Sequence, residues 1–216
     1  MGTVRLLAGV LVLALGLAAA GCGDDGPRYP TGLSDDAYDL EAMSLRAEDL
    51  PAGFEKQAPG EFLNEAWANV FETDDVEAKL RQLEAQGRLR NYVSLFGPAG
   101  LGPVLAVTAI STLYTDETAA QRSLEEFGCG LPLENTVLLE PLLVPEIGDG
   151  ASGFMVRQFE EGNPTFVDTT VCFRTGRVIH ALQATSVAGV EDVGFVIRLA
   201  ERMEERVAAA LADAGS

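Results

Sequence analysis

Apolar residues between positions 76 and 87 recur at helical spacing, with Val76, Leu80 and Leu83 on one face. Asp74 stands where an N-cap belongs, Glu77 three residues later completes a capping box, and Gly87 supplies a stop. The spacing predicts a helix. From Arg88 to Phe96 the period changes to two: Leu89, Val93 and Leu95 share one side and Tyr92 and Phe96 the other, the pattern of a strand covered on both faces. A loop rich in Gly and Pro, residues 97–103, leads to Val104–Tyr114, whose Val, Ile and Thr content favours a second strand antiparallel to the first. Thr115 or Asp116 then caps a helix carrying Ala120, Leu124 and Phe127 at i, i+4 and i+7, with Gly128 at its end.

The flanking segments complete the order. Residues 45–54 form a turn-rich lead-in, because Pro51 cannot continue a helix and Gly53 permits positive φ, and a strand follows through Phe62. Four apolar stretches, Thr136–Val144, Phe154–Phe159, Phe166–Arg174 and Arg177–Val187, come next, the last two joined at Thr175-Gly176 as a hairpin. In Phe166–Arg174, Val167, Thr169, Val171 and Phe173 share one face, and Asp168, Thr170, Cys172 and Arg174 share the other. A final helix from about Glu191 has Val193, Val196, Ala200, Met203, Val207 and Leu211 as its apolar stripe and leaves Arg198, Glu201, Arg202, Glu205 and Arg206 to solvent. Consecutive strands in the second half imply an antiparallel sheet with helices packed on it: a single α+β domain, arranged as an α/β/α sandwich.

The N-terminus changes the picture of where this domain works. One charge, Arg5, precedes an apolar run from Leu6 to Ala20, too short for the roughly 20 residues of a stable transmembrane helix and followed by small residues. That is the layout of a signal peptide over residues 1–21. Ala19-Ala20-Gly21-Cys22 resembles the lipobox of bacterial lipoproteins, departing at Ala19, where that family prefers Leu. The resemblance implies that Cys22 carries a diacylglyceryl group and acyl chains such as palmitate, placing the domain at a cell membrane on its extracytoplasmic side. Residues 22–36 read as a flexible tether and 37–216 as the domain. With Cys22 modified, Cys129 and Cys172 remain, and an even pair in an exported chain predicts one disulfide.

Charge and chemistry narrow the function by exclusion. The chain carries −18 at neutral pH, and −19 once Arg5 is removed with the signal segment, which repels nucleic acid. Zinc-type ligand spacing is missing, so no metal and no cofactor is expected. Gly150-Ala151-Ser152-Gly153-Phe154 lacks the last glycine of a hydrolase elbow, and Gly97, Gly100 and Gly102 do not fit a phosphate-cradling loop. The acidic pairs Asp35-Asp36, Asp74-Asp75 and Glu160-Glu161 suit caps and solvated turns and show no calcium-loop spacing. His180 is the one histidine. It belongs to a strand face with Val178 and Leu182, as a half-buried residue or a ligand contact, and a thiolate pair with Cys172 is removed by the disulfide. The loop 97–103, with Tyr92, Phe96 and Tyr114 nearby, is the candidate binding feature.

The element order over residues 45–212 resembles the PsbP/Mog1-like sandwich and the extracellular sensor-like domains of actinobacterial lipoproteins and receptor kinases. Asp49-Leu50-Pro51-Ala52-Gly53-Phe54, Gly87-Arg88 leading into Tyr92, and Ile147-Gly148-Asp149 before a strand carry that resemblance. It implies binding or sensing. The expectation is a non-enzymatic, membrane-anchored module that takes a small apolar ligand, with Tyr92, Tyr114 and His180 as candidate contacts. The alternative is an interaction lipoprotein that assembles with another envelope protein; a hydrolase is the remote third.

Overall fold

The structure is a computed structural model and describes residues 29–30, 32–70, 75–126, 129, 139–160 and 163–214. The predicted signal segment, Cys22, Asp74, Phe127, Gly128, residues 136–138 and Glu161 lie outside the described residues. In chain order the described elements are α1 (Leu40–Met43), β1 (Phe54–Leu63), α2 (Asn64–Ala68), α3 (Val76–Ala85), β2 (Arg88–Pro98), β3 (Val104–Tyr114), α4 (Glu117–Glu126), β4 (Glu140–Leu142), β5 (Ala151–Glu160), β6 (Asn163–Thr175), β7 (Val178–Val187) and α5 (Val193–Ala214). Short 3-10 turns at Asp35–Ala37 and Ala47–Asp49 flank α1.

All seven strands form one antiparallel sheet in the order β1-β2-β3-β7-β6-β5-β4. Every step joins strands that follow one another in the chain except β3 to β7. There the chain leaves after β3, makes α4 and three strands, and returns to pair Ile110 with Ala181 and Ser111 with His180. Helices α1 and α5 cover one face, where Leu40, Met43, Val196, Leu199, Ala200, Met203, Val207 and Leu211 pack on Phe96, Val107, Leu113, Phe173 and Leu182. Helices α2, α3 and α4 cover the other, where Trp67, Leu83, Ala120 and Leu124 pack on Ile110, Tyr114, Val156 and Ile179. The fold is α+β with a three-layer arrangement, as the pattern predicted. Burying each Val, Leu or Met of α5 contributes roughly 1.5 to 3 kcal/mol relative to exposure, so that stripe supplies most of the helix's attachment.

Local signals explain the element ends. Helix α3 is capped by Asp75, whose Oδ1 accepts from the Ala78 amide at 2.8 Å, so the cap falls one residue after the predicted Asp74 and the box with Glu77 is out of step. At the other end Gly87 has φ +78°, and a Cβ there would lie 2.6 Å from Thr115 Oγ1, so both backbone and space require glycine. Asp116 caps α4 through the Ala119 amide at 2.8 Å, and Asp192 caps α5 through Phe195 at 2.9 Å.

Three features depart from the sequence reading. A bulge between Arg88 and Arg90 interrupts the β2–β3 register and moves Leu89 to the α1/α5 side, away from Val93. Arg206 is not solvated: its guanidinium holds the carboxylates of Asp49 and Glu48, tying α5 to the turn before β1. The described part of the predicted tether lies on the domain, since Tyr29 is buried in the core and donates to Glu204 at 3.0 Å. Asp35 pairs with Arg177 at 2.7 Å, a second contact between this segment and the sheet. No described helix is long and apolar enough to cross a membrane.

Cys129 and Cys172 form a disulfide, with Cα atoms 6.2 Å apart and a sequence separation of 43. It joins the segment after α4 to the middle of β6, under the α2–α4 layer.

Candidate functional site

The loop 97–103 borders an apolar cleft of about 420 Å³. Its walls are Pro51–Phe54 before and at the start of β1, Pro98 and Gly100–Val104 of the β2–β3 connection, and Val190 and Phe195 at the start of α5. Three observations make this a built feature. Gly53 (φ +99°) turns the chain so that its carbonyl accepts from the Ala99 amide at 2.6 Å, and the Pro103 carbonyl accepts from Val187 at 2.9 Å. Phe54 and Phe195 stack at 6.5 Å between ring centroids to form the floor. Leu101 is fully exposed and Val190 half exposed at the rim, so apolar side chains face solvent where the cleft opens. Asp192 is the single charged residue in the lining, and its Oδ1 is engaged in capping α5.

Tyr92 does not reach this cleft. It lines a separate polar groove of about 760 Å³ with Asp36, Asp39, Glu41, Glu61 and Arg90. There its hydroxyl donates to Glu41 Oε1 at 2.8 Å and accepts from Lys56 Nζ at 3.3 Å. Burial, reinforced by the Glu41 carboxylate, pushes the Tyr92 phenol up to about 12. Arg90 answers the acidic rim through Glu61 at 3.2 Å and the Tyr38 carbonyl at 2.9 Å. Among the described residues no group of three or more His, Cys, Asp or Glu is arranged to hold a metal ion.

Tyr114 and His180, the other two candidate contacts, are interior residues on opposite faces of the sheet. Tyr114 ends β3 on the α2–α4 side, its hydroxyl 2.5 Å from Ser123 Oγ of α4. His180 is fully buried opposite Ser111. Strand parity separates the two: residues 111 and 114 differ by an odd number and point to different sides. The three predicted contacts are therefore not brought together. Tyr92 and His180 share the α1/α5 side of the sheet but belong to different surroundings, a groove and the packed core.

His180 is satisfied at both nitrogens, with Nδ1 2.9 Å from Ser111 Oγ and Nε2 2.8 Å from Thr175 Oγ1, and it stacks on Phe173 at 4.7 Å. Burial pushes its imidazole down to about 3. Because the folded form resists protonation while the unfolded chain takes up a proton below about 6.5, stability falls as pH drops through the window from about 6.5 to 3. Urea unfolding at pH 5 is expected to give a stability about 2 kcal/mol lower than at pH 7.5 from this residue alone. In His180→Gln the pH-dependent difference should shrink by that amount. An unchanged pH profile in the variant refutes the assignment.

Ser152, in the sequence that approaches a hydrolase elbow, starts β5 opposite Cys172, with its Oγ 3.8 Å from Cys129 Sγ. It lies on the side of the sheet away from His180, so the two are not neighbours. The sequence motifs behind the resemblance serve as fasteners. Asp49 holds Arg206. The Gly148 amide donates to Glu204 at 2.8 Å, and Asp149 Oδ2 accepts from the Gly176 amide at 2.7 Å, clamping the β6–β7 turn. The loop singled out by its Gly and Pro content borders this cleft, whereas the opposite wall was not legible in the sequence, because Phe195 and Val190 reach the cleft only when α5 folds back across the sheet.

No family model matches the chain, and no curated protein matches it in sequence. The fold defined by these layers is similar to that of the extracellular domain of PknH from Mycobacterium tuberculosis. The two superpose with a TM-score of 0.52 at 10% identity, over 78% of this chain and 94% of that one. What the two share is the fold.

Proposed function

We propose that this protein is a lipid-anchored extracytoplasmic domain of the cell envelope that binds a small apolar ligand in the cleft beside loop 97–103 and acts as a sensory or carrier module rather than an enzyme. The observation that carries the ligand reading is the cleft itself: an aromatic floor from Phe54 and Phe195, an apolar rim at Leu101 and Val190, and a wall stiffened by two prolines. Concave apolar surface of this size, open to solvent, is what small-molecule sites present. The similarity in fold to an extracellular domain supports the compartment, and so does the disulfide, which forms where thiols are oxidised. The lipobox-like Ala19-Ala20-Gly21-Cys22 supports the anchor.

The test uses the full chain with Cys22→Ser and the uncharged probe N-phenyl-1-naphthylamine, which the acidic surface does not repel. Saturable one-site binding is expected, weakened at least tenfold by Leu101→Asp together with Val190→Asp. Absence of saturable uptake, or uptake indifferent to both substitutions, rejects the cleft as the ligand site.

A second reading has its own observation. Leu139, Leu143 and Phe159 are exposed beside the short edge strand β4, where an apolar sheet edge invites another chain. This favours an assembly role with an envelope protein. Leu143→Lys with Phe159→Lys should then abolish co-purification of that protein while leaving probe binding intact.

A further inference from the structure

A second polar environment lies inside the molecule, on the opposite face of the sheet from the apolar cleft and at the other end of β2. Arg88 is 3% exposed, and none of its three guanidinium nitrogens has a hydrogen-bond partner. No carboxylate among the described residues pairs with it. The one nearby titratable group that favours its charge is Tyr114, the cross-strand neighbour. Asn91 is fully buried with both its Oδ1 and Nδ2 unpartnered, and Asn64 Oδ1 is unpartnered as well, while Asn64 Nδ2 donates to the Arg88 carbonyl at 2.7 Å. Trp67 closes the side, its ring centroid 4.8 Å from the guanidinium carbon, and Phe62 packs tilted against the indole at 5.9 Å.

The bulge at Leu89 creates this juxtaposition. In a regular strand residues 88 and 91 point to opposite faces; the extra residue restores them to one face, so a cation and an amide converge under α2 and α3. Buried polar groups are almost always satisfied, and a buried guanidinium with no acceptor is unfavourable. Burial pulls the Arg88 guanidinium down to about 9, the direction expected of a cation that lacks a counter-charge.

We propose that Arg88 and Asn91 form the anion-binding end of an internal site that takes one small monocarboxylate, with Arg88 receiving the carboxylate as a fork and Asn91 Nδ2 donating to it. Lys79 of α3 lies near enough to feel the Arg88 charge, so the site is cationic, and the planar guanidinium fork matches the two oxygens of a carboxylate. The Trp67 ring, 4.8 Å away, restrains the guanidinium by a cation–π contact. This site is separate from the apolar cleft, so the outcome of either experiment leaves the other standing.

Trp67 is the single tryptophan of the chain and reports on its neighbour directly. The full chain with Cys22→Ser, dialysed into chloride buffer, is titrated with sodium acetate and sodium propionate, and with sodium phosphate and sodium chloride at matched ionic strength. A saturable change in Trp67 emission is expected with the two carboxylates only, and Arg88→Met should weaken it at least tenfold. Asn91→Asp supplies a carboxylate from the chain itself. It is expected to raise Tm without any added acid and to abolish the response, which keeps the test decisive if Arg88→Met does not fold. No saturable response to either carboxylate, an equal response to phosphate or chloride, or a lower Tm for Asn91→Asp overturns the proposal.

Discussion

Replacing Cys129 and Cys172 together by alanine is expected to lower the unfolding free energy by roughly 4 kcal/mol, the value that chain entropy assigns to closing a loop of about 43 residues. For a domain of this size, about 2 to 4 °C is lost per kcal/mol, so Tm should fall by roughly 8 to 16 °C. Both cysteines are buried, and their partners explain why the effect is mainly one of linkage. Cys172 sits in the centre of β6 between Val171 and Phe173, and Cys129 lies beyond the end of α4. The bridge therefore pins the long excursion between β3 and the returning strands to the sheet it leaves, an ordering that no hydrogen bond of the ladder performs. Calorimetry of wild type and double variant, each with and without reductant under unfolding conditions, checks it. Equal Tm values for both proteins would show that the cross-link does not constrain the unfolded chain.

Replacing Cys22 with serine is expected to move the protein entirely from the membrane fraction to the soluble fraction and to remove the mass of the acyl chains. A single acyl chain anchors marginally, whereas several on one residue hold firmly, so the shift should be close to all-or-none. The structure sharpens the consequence. Tyr29, where the described residues begin, is fastened in the core and donates to Glu204. Added residues between Cys22 and Tyr29 should leave the fractionation of the wild-type protein unchanged. Fractionation with salt and carbonate washes measures the first effect. Membrane retention of the serine variant would remove the basis for the anchor.

Much of the fold follows from period and punctuation. Gly87, Asp116 and the Thr175-Gly176 turn mark element ends because a positive φ, a cap or a tight hairpin is chemically local. The elements that period missed, α1 and α2, span four and five residues, too short for a 3.6-residue repeat to register. Arg206 reads as a solvated helix position by spacing alone; its pairing with Asp49 needs two residues 157 positions apart to meet.

The candidate site divides in the same way. The class of the domain, the faces of most strands, the Gly- and Pro-rich loop 97–103, the pairing of Cys129 with Cys172 and the net acidity were legible in the chain alone. Each of these is fixed by neighbours in the chain or by totals over it. Folding in three dimensions was needed to put Phe195 on the floor of the cleft, to open Tyr92 on a groove while Tyr114 and His180 face opposite layers, and to bury Arg88 and Asn91 on one face with no carboxylate paired to Arg88 among the described residues. The physical reason is register. A one-residue bulge at Leu89 and the return of β7 beside β3 determine which side chains share a space, and both are set by the packing of helices on the sheet rather than by the residues at the positions themselves.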